Sequence, residues 1–437
     1  MKHGKLAVIA RNISSRIDLV RYINHLDDNF KVVLFTNKKP LYISSNIEVR
    51  LIPKTKSIVA SIARVLYLTI GQLPFYKKNY FVLKLFELSA TATRFIWIKG
   101  FFIKFRLYLP SLISYDFYIN FIGRFGKFDL NGIDRALVIT ESGSHILIGA
   151  MLRSKIPVDA YVYSWDHPFK HMSFSKKVRN WYVWSDDVKN DLVKLHNIDF
   201  KKIKILGSTQ LSLVDKYISE YCCDSKNTNS KYIYYGCGLG YGDLVFQEIE
   251  LIKYLSKVLR QLDRGYKLIV RTYPLVEKDK NMYHELKGVN NIIIDEPVKY
   301  SGNPGDKSFL IHSGIKKKYD LIRNAEAVFH SGTTLGLEAC YFDIPVFFIA
   351  ADDFTDGKSK VRGLSLFDFM HQQHNIKYLK LTEYENVITK VSQLSSIIRK
   401  ITQENKSSLY LNYNYKIRSL IPIVTEEKIL NDLFLDD

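Results

Sequence analysis

Short apolar segments of strand length recur along this sequence, and segments with helical spacing lie between several of them. In the first half, the segments of strand length are residues 5–10, 31–36, 47–52, 135–140, 158–163, 181–184 and 202–206. Residues 15–26 and 145–152 have the spacing of amphipathic helices. Regular alternation of this kind predicts a parallel sheet whose strands are joined by crossover helices.

A second series of the same kind follows a polar stretch at residues 220–230, which we interpret as a linker. Its strand-length segments are residues 231–235, 266–270, 290–294, 327–330 and 344–349, and residues 247–262 have helical spacing. The chain has 437 residues, of which 47% are hydrophobic, so it can bury two cores. We therefore predict an α/β protein with two Rossmann-like domains, residues 1–225 and 226–437, facing each other across a cleft.

The cysteines indicate a reducing compartment. The chain has 4 of them, including the adjacent pair Cys222 and Cys223, and it lacks the C-x-x-C and histidine spacing of a zinc finger. The apolar run before Arg11 is too short for the core of a signal peptide. These features predict a cytoplasmic protein without a structural metal.

The formal net charge of +19 predicts an acidic partner, and the charge is concentrated in one region. Between residues 51 and 110, ten basic residues face one acid, Glu87, and aromatic residues are interleaved with them. The basic residues are Lys54, Lys56, Arg64, Lys77, Lys78, Lys84, Arg94, Lys99, Lys104 and Arg106. We interpret residues 54–120 as a basic, aromatic, mainly helical insertion that contacts an anionic membrane surface; an ordinary helical subdomain is the alternative. No nucleic-acid-binding motif is present, so we expect no nucleic-acid partner.

A polar turn, Ser331-Gly332-Thr333-Thr334, lies between the strand segment 327–330 and a short helical segment that contains Glu338. Such a turn at the carboxyl end of a parallel strand can bind an anion through hydroxyls, backbone N–H groups and the helix dipole. Gly332 would let a phosphate approach the backbone, and Glu338 could accept hydrogen bonds from ribose hydroxyls. The alternative is a plain helix cap by Ser331 or Thr333, with Glu338 solvated.

An ordered series of segments resembles a known group of enzymes. The segment HSGTTLGLEACYFDIPV looks like the donor-binding segment of GT-B glycosyltransferases. Upstream, the segments YSWDHPFKHMS, WYVWSDDVKNDLVKLHNID, KIKILGSTQLSLVDKY and LIVRTYPLVEKD resemble, in the same order, segments of bacterial surface-polysaccharide glycosyltransferases of the capsule and O-antigen type. The resemblance covers residues 135–350 approximately. It departs from the family pattern at His167, Thr209, Leu211 and Tyr273, where Asn, Pro, Phe and His are expected.

The resemblance implies a metal-independent enzyme that uses a nucleotide sugar as its substrate and needs no cofactor. Basic side chains and helix N-termini would then stabilise the leaving phosphate. The residues that we predict to contact the donor are Gly207, Ser208, Arg271, Ser331, Gly332, Thr333, Thr334 and Glu338.

An inverting transfer also requires a base for the acceptor hydroxyl. We predict Asp166 in this role because it follows a predicted strand, with His167 second and Glu141 third. A structural role for Asp166, as a helix cap or in a bond to a neighbouring loop, is the alternative. The glycine-rich segment YYGCGLGYG at residues 234–242 lacks the dinucleotide-binding spacing and is either a turn near the donor phosphates or a simple loop.

These features predict a glycosyltransferase that extends a lipid-linked or polysaccharide acceptor, peripheral on the inner face of a membrane. A transferase that uses CMP-Kdo is a variant within the same class. A CDP-glycerol-type glycerophosphotransferase and a non-catalytic polysaccharide-assembly partner are the alternatives from other classes. The donor sugar, the acceptor and the stereochemical outcome are not determined by these features.

Overall fold

The computed structural model describes residues 4–11, 13, 16–40, 43–53, 57–67, 114–140, 145–170, 174–221, 231–238, 244–262, 265–273, 277–297, 314–351, 353, 376, 379–403 and 407–423. The described residues form two compact units. One consists of the residues up to Leu213 together with residues 421–423, and the other extends from Val214 to Leu420. The predicted linker begins inside a helix, since the helix Ser212–Tyr221 continues past Glu220; the rest of the predicted linker lies outside the described residues.

Within the described residues, the first unit contains a seven-stranded parallel sheet. Its strands are β1 (Lys5–Ile9), β2 (Lys31–Thr36), β3 (Glu48–Leu51), β4 (Arg135–Ile139), β5 (Val158–Tyr161), β6 (Trp181–Val183) and β7 (Ile203–Ile205). The strand order is β3-β2-β1-β4-β5-β6-β7, so the direction in which strands are added reverses between β1 and β4. Apolar residues occupy both faces of the central strands because helices cover a parallel sheet on both sides.

The helices of the first unit are α1 (Ile17–Asn29), α2 (Ile58–Leu66), α3 (Tyr115–Ile122), α4 (His145–Arg153), α5 (His167–Lys170) and α6 (Asp186–His196). Helix α6 illustrates how capping residues determine where a helix begins and ends. Ser185 caps its N-terminus by accepting a hydrogen bond from the Val188 N–H, and Asp186 and Asp187 lie in its first turn. Asn197 ends it in the left-handed conformation, which asparagine tolerates better than most residues.

Helices α3 and α4 pack closely through glycine. A Cβ atom at Gly149 would overlap the carbonyl oxygen of Ile119, and one at Gly123 would overlap the backbone of Gly149. The two helices can therefore approach at these points only because both residues lack a side chain. This packing fixes α3 beside α4.

The second unit contains a six-stranded parallel sheet among the residues that the structure describes. Its strands are β8 (Tyr232–Gly236), β9 (Lys267–Arg271), β10 (Ile292–Asp295), β11 (Val328–His330), β12 (Val346–Ile349) and β13 (Val387–Ile388), in the order β10-β9-β8-β11-β12-β13. The helices that follow α6 are α7 (Ser212–Tyr221), α8 (Leu244–Gln261), α9 (Ile315–Arg323), α10 (Thr334–Ala339), α11 (Gln393–Thr402) and α12 (Leu411–Leu420). Segments of 3-10 helix occur at Gly123–Phe125, Phe200–Lys202, Glu277–Gly288 and Ser407–Tyr410.

The predicted strand segments all correspond to strands, and the predicted helices 15–26, 145–152 and 247–262 correspond to α1, α4 and α8. Their ends differ from the observed ends by up to three residues. The two-residue strand β13 was not predicted because so short a segment has no measurable periodicity. Within the predicted insertion, α2 and α3 are helical as expected, and residues 68–113 lie outside the described part of the chain.

Candidate functional site

In the second sheet, the strand order reverses between β8 and β11, and the residues after these two strands lie at the same edge. Ligands of open parallel sheets bind at the carboxyl ends of the strands where the order reverses. The predicted donor-binding turn follows β11 and therefore lies at this position. The turn that the sequence predicts to bind an anion is thus at a position where open parallel sheets can bind ligands.

The turn itself combines a glycine in the left-handed region with a helix cap. Gly332 has a φ of 81°, and its N–H donates to Nδ1 of His330 at 3.1 Å. Thr333 is the N-cap of α10, and its hydroxyl oxygen accepts from the Leu335 N–H at 3.4 Å. Thr334 is the first residue of α10. The capping interpretation therefore holds for Thr333, while the Gly332 N–H is directed at a protein acceptor.

A buried carboxylate holds this turn to the end of β8. Glu248 of α8 is fully buried, and its Oε1 accepts hydrogen bonds from the Ser331 hydroxyl and, at 2.9 Å, from the Gly238 N–H. The Tyr235 hydroxyl lies 3.1 Å from both Oε1 of Glu248 and the Ser331 hydroxyl oxygen. Burial, together with the nearby Glu248 charge, raises the pKa of Tyr235 well above its usual value. Ser331 is thus bound to protein groups in the interior.

Gly238 allows the two chain segments to approach. A Cβ atom at this position would lie 2.5 Å from the carbonyl oxygen of Ser331, which is closer than van der Waals contact allows. The described part of the glycine-rich segment is therefore in contact with the candidate donor turn. Residues 239–243 lie outside the described residues.

Charged side chains lie at the same edge, at the ends of the neighbouring strands. Nη1 of Arg271, at the end of β9, donates to Oδ2 of Asp295 at 2.9 Å, and the Tyr234 hydroxyl donates to the same oxygen at 2.8 Å. Nζ of Lys317 lies 3.7 Å from Oδ1 of Asp295. Asp295 is buried, so this arrangement compensates its charge. The predicted phosphate ligand Arg271 is held by an acidic residue that orients its guanidinium.

Glu338 forms a second ion pair beside the turn. Its Oε2 lies 2.6 Å from Nζ of Lys318 on α9, and both side chains are largely buried. The alternative in which Glu338 is merely solvated is therefore wrong. Together with Arg271 and Lys317, Lys318 gives this edge three basic side chains, which pair with the acids Asp295 and Glu338.

His330 lies under the turn and is fully buried. Burial lowers the pKa of His330 to about 3, so its ring is neutral at neutral pH. Because Nδ1 accepts from Gly332, the proton of the neutral ring is assigned to Nε2, which has no hydrogen-bond partner among the described groups. His330 therefore orients the turn and contributes no positive charge to it.

The corresponding edge of the first sheet is rich in hydroxyl groups. Asp18, in the first turn of α1, accepts from the Tyr163 hydroxyl at 3.2 Å and from the Thr209 hydroxyl at 3.0 Å. Burial raises the pKa of Asp18, and hydrogen bonds from Thr209 and Tyr163 and the charge of Arg16 oppose that rise. These residues come from chain segments after β1, β5 and β7, so the sheet brings together groups that are far apart in sequence.

Thr209 stands where the glycosyltransferase segments that the sequence resembles have proline, and its hydrogen bonds need a side chain other than proline. Besides its hydroxyl bond to Asp18, its N–H donates to the Tyr161 hydroxyl at 3.1 Å. Proline could form neither bond, because it lacks both groups. The departure at this position therefore belongs to a hydrogen-bonded network.

Asp166 and His167 lie in the segment that follows β5. Asp166 accepts from the Ser164 hydroxyl at 2.5 Å and is partly exposed. Nδ1 of His167 lies 3.2 Å from the Thr140 hydroxyl, which also accepts from the Tyr163 N–H at 3.2 Å. The sheet thus brings the first two candidate bases to one edge. The third, Glu141, lies outside the described residues.

Gly207 and Ser208 follow β7 in the first unit. The Gly207 carbonyl accepts from the Tyr161 hydroxyl at 3.1 Å, and Ser208 is fully buried, where its hydroxyl oxygen accepts from the Leu211 N–H at 3.4 Å. Ser208 also forms an isolated parallel bridge with Ile423. Both residues therefore have structural contacts within the first unit.

Sequence reasoning did not find Asp18, Glu248, Asp295 or Lys318. Glu248 left a detectable signal, since it interrupts the apolar stripe formed by Val245, Ile249 and Ile252 on α8. A charged residue on the buried face of a helix indicates a specific partner. Asp18 gave no such signal, because an acid in the first turn of a helix is common.

Two further features concern the residues that the structure describes. No group of three or more His, Cys, Asp or Glu residues among them is arranged to hold a metal ion. In the same part of the chain, none of the helices has the length and apolar character needed to cross a membrane.

No protein-family model matches the sequence, and no curated protein matches it significantly. Among solved structures, a candidate UDP-N-acetylglucosamine 2-epimerase from Listeria monocytogenes is similar, with a TM-score of 0.51 and 11% identity over 99% of this chain and 95% of that chain. The S. aureus MnaA–UDP co-structure is similar, with a TM-score of 0.50 and 10% identity over 99% of this chain and 96% of that chain. Identities this low establish the fold alone. The predicted fold class, two Rossmann-like α/β units of the GT-B type, is confirmed.

Proposed function

We propose that this protein is a glycosyltransferase that moves a sugar from a nucleotide-sugar donor to a growing, lipid-linked surface polysaccharide. The observation that carries the proposal is the edge of the second sheet at β8 and β11. A glycine turn, a capped helix and basic side chains from β9 and α9 lie there together. The resemblance of the ordered sequence segments to surface-polysaccharide glycosyltransferases supports the same function.

The second unit would bind the donor. Arg271 and Lys317 would offset the negative charge of the donor phosphates, and the turn from Gly332 to Thr334 would provide hydroxyl and backbone contacts. Ser331 would act from beneath the turn by fixing it to Glu248. A similar protein was solved with UDP, which supports a uridine nucleotide as the first donor class to test.

The first unit would act on the acceptor. In an inverting transfer, the carboxylate of Asp166 accepts the proton of the acceptor hydroxyl as its oxygen attacks the anomeric carbon. The bond between that carbon and the donor phosphate breaks, and the nucleotide leaves with the electron pair. Asp166 is partly exposed and therefore accessible to an acceptor.

Donor binding is tested by thermal stabilisation with a panel of nucleotide sugars, because a ligand of the folded state raises its apparent stability. Gly332→Ala should raise the nucleotide-sugar concentration needed for a given stabilisation at least about tenfold, because the added methyl group and the altered backbone disturb the turn. Gly265→Ala is the matched control. Gly265 also has a positive φ, 70° against 81° for Gly332, but open space surrounds its Cβ position.

Both variants carry the same kind of backbone cost, about 1 kcal/mol, so a difference in donor binding reports the turn itself. Equal donor binding by Gly332→Ala and Gly265→Ala would remove this turn from the donor site. Stabilisation by no nucleotide sugar would contradict the proposed function.

The kind of reaction is tested by the need for an acceptor. A glycosyltransferase consumes the donor only when an acceptor is added, whereas an epimerase, the activity for which one structural relative is named, interconverts the sugar nucleotide without one. Transfer of phosphoglycerol from CDP-glycerol would identify a glycerophosphotransferase. Donor binding without turnover under all of these conditions would favour a non-catalytic partner in polysaccharide assembly.

A further inference from the structure

Helix α2 has two different apolar faces, and one of them packs against the protein. Its buried face is formed by Ala60 and by Tyr67, which follows the helix and stacks on Tyr118 of α3 with ring centroids 4.4 Å apart. Tyr67 belongs to a small apolar cluster with Tyr118, Ile119 and Ile122. Ser57 caps the helix N-terminus by accepting from the Ala60 N–H at 3.2 Å. The helix is therefore fixed on α3, which in turn packs on α4.

The opposite face of α2 is apolar and exposed. Ile58, Val59 and Ile62 are 76%, 50% and 55% exposed, and Val65 and Leu66 continue the stripe with partial exposure. Their spacing, i, i+1, i+4, i+7 and i+8, places all of them on one side of the helix. Surface apolar residues are usually scattered singly, whereas a contiguous stripe marks an interaction surface.

The charge of the sequence that contains α2 favours an anionic partner. Helix α2 contains one charged residue, Arg64, which is exposed, and it contains no acid. The sequence from residue 51 to residue 110 has ten basic residues and one acid. A bilayer with anionic lipids complements both properties, because its headgroups attract the basic residues and its acyl boundary accepts the apolar side chains. Nucleic acid would complement the charge but not the apolar stripe.

We propose that the exposed stripe of α2, centred on Ile58, Val59 and Ile62, inserts into the interfacial region of an anionic lipid bilayer. A nine-residue helix is about 14 Å long, too short to span a bilayer but suited to lie in the plane of its surface. The inference deepens the proposed function, on which it rests for the lipid-linked acceptor. Insertion at α2 would hold the first unit at the surface where such an acceptor is found.

The test is co-sedimentation of the full chain with vesicles of phosphatidylglycerol and phosphatidylcholine, without donor or acceptor. Replacing Ile58, Val59 and Ile62 together by Gln should weaken vesicle binding at least about tenfold, because three partly inserted apolar side chains are lost. The control is the triple variant Phe246→Gln, Ile293→Gln and Leu409→Gln. These residues are 46%, 49% and 65% exposed and belong to three different elements of the second unit, so their replacement should leave binding unchanged.

Thermal unfolding and oligomeric state distinguish the other occupants of this face. With a bilayer as the partner, the α2 variant keeps its unfolding temperature, because exposed side chains contribute little to folding. Normal vesicle binding with a lowered unfolding temperature would show that the chain's own residues cover the stripe, and would overturn the proposal. Loss of a dimer in the α2 variant, with vesicle binding unchanged, would assign the face to a second copy and overturn it equally.

The same variant separates this inference from the proposed enzyme activity. Nucleotide-sugar stabilisation of the α2 variant should equal that of the wild type, because α2 lies in the first unit. A protein that binds vesicles through α2 but no nucleotide sugar would retain this inference and lose the proposed function. A protein that binds a nucleotide sugar but no vesicles would retain the proposed function and lose this inference.

Discussion

The two parallel sheets of this protein carry different chemistry at their carboxyl edges. The edge of the second sheet is charged, with three basic and two acidic side chains in ion pairs. At the edge of the first sheet, the hydroxyl groups of Tyr163 and Thr209 donate to the buried carboxylate of Asp18. The same sheet topology thus places different side chains at the carboxyl edges of the two sheets.

Each sheet edge contains a buried carboxylate, and the two carboxylates accept from different donors. Glu248 accepts from three donors, including the backbone N–H of Gly238, and so fixes two chain segments to each other. Asp18 accepts from two side-chain hydroxyls and from the Leu19 N–H, and burial raises its pKa. The raised pKa means that the surroundings of Asp18 disfavour its charged form.

The largest expected effect comes from removing these carboxylates. Glu248→Ala should lower the free energy of unfolding by about 3–5 kcal/mol, because buried donors lose their acceptor at a cost of about 1–3 kcal/mol each. Asp18→Ala should cost less, about 1–2 kcal/mol, since it also removes a carboxyl group that is unfavourably buried. Chemical denaturation measures both values.

The control for this pair of variants is Glu250→Ala, which removes an exposed acid from the same helix as Glu248 and should change stability by less than about 0.5 kcal/mol. A loss for Asp18→Ala as large as that for Glu248→Ala would contradict the expected difference between the two buried carboxylates.

The next prediction concerns the proposed role of Asp166 as the catalytic base in the first unit. Asp166→Asn should lower turnover about a hundredfold or more and leave donor affinity nearly unchanged, because asparagine can still accept from Ser164 but cannot take up a proton. Steady-state kinetics with donor titration separates the two quantities. The matched control is Asp186→Asn, an exposed aspartate at the start of α6 in the same unit, which should behave as wild type.

Near-normal turnover of a folded Asp166→Asn protein would remove Asp166 from the mechanism. Glu141→Gln would then be the next variant to measure. A parallel loss of stability, donor affinity and turnover would instead assign Asp166 a structural role.

The smallest effect is a difference in pH dependence between the edges. Burial lowers the pKa of His330 from 6.5 to about 3, so below pH 6.5 the unfolded chain binds a proton that the folded chain does not. Stability from this residue is therefore lost as the pH falls, by about 1.4 kcal/mol per pH unit between pH 6.5 and pH 3. Asp18 has the opposite sign, because its raised pKa lets the folded chain keep a proton that the unfolded chain has released.

Relative to His330→Asn, which retains an acceptor for Gly332, the wild type should lose about 2 kcal/mol of unfolding free energy between pH 7 and pH 5. Relative to Asp18→Asn, it should gain stability as the pH falls. Denaturation curves at several pH values measure both differences. If the difference in unfolding free energy between the wild type and His330→Asn did not change with pH, His330 would not be buried as a neutral ring.

The sequence by itself determined the architecture. Parallel strands buried on both faces require continuous apolar segments of four to six residues, and such segments, separated by helical spacing, identified the strands of both sheets apart from β13. The turn at Ser331–Thr334 was also visible, because glycine beside hydroxyl residues after an apolar strand is a local pattern. The linker prediction was partly wrong, since the polar character of Glu220 did not reveal that α7 continues through it.

Only the tertiary structure decided which polar side chains act together. Asp18 and Thr209 are separated by 191 residues, yet they form a hydrogen bond because α1 and the segment after β7 both begin at the same sheet edge. Likewise, Glu248 reaches Ser331 across 83 residues, and Lys318 of α9 neutralises Glu338 of α10. Periodicity reports which face of an element is buried, but the partner of a buried polar group depends on strand order, and that order is a property of the folded sheet.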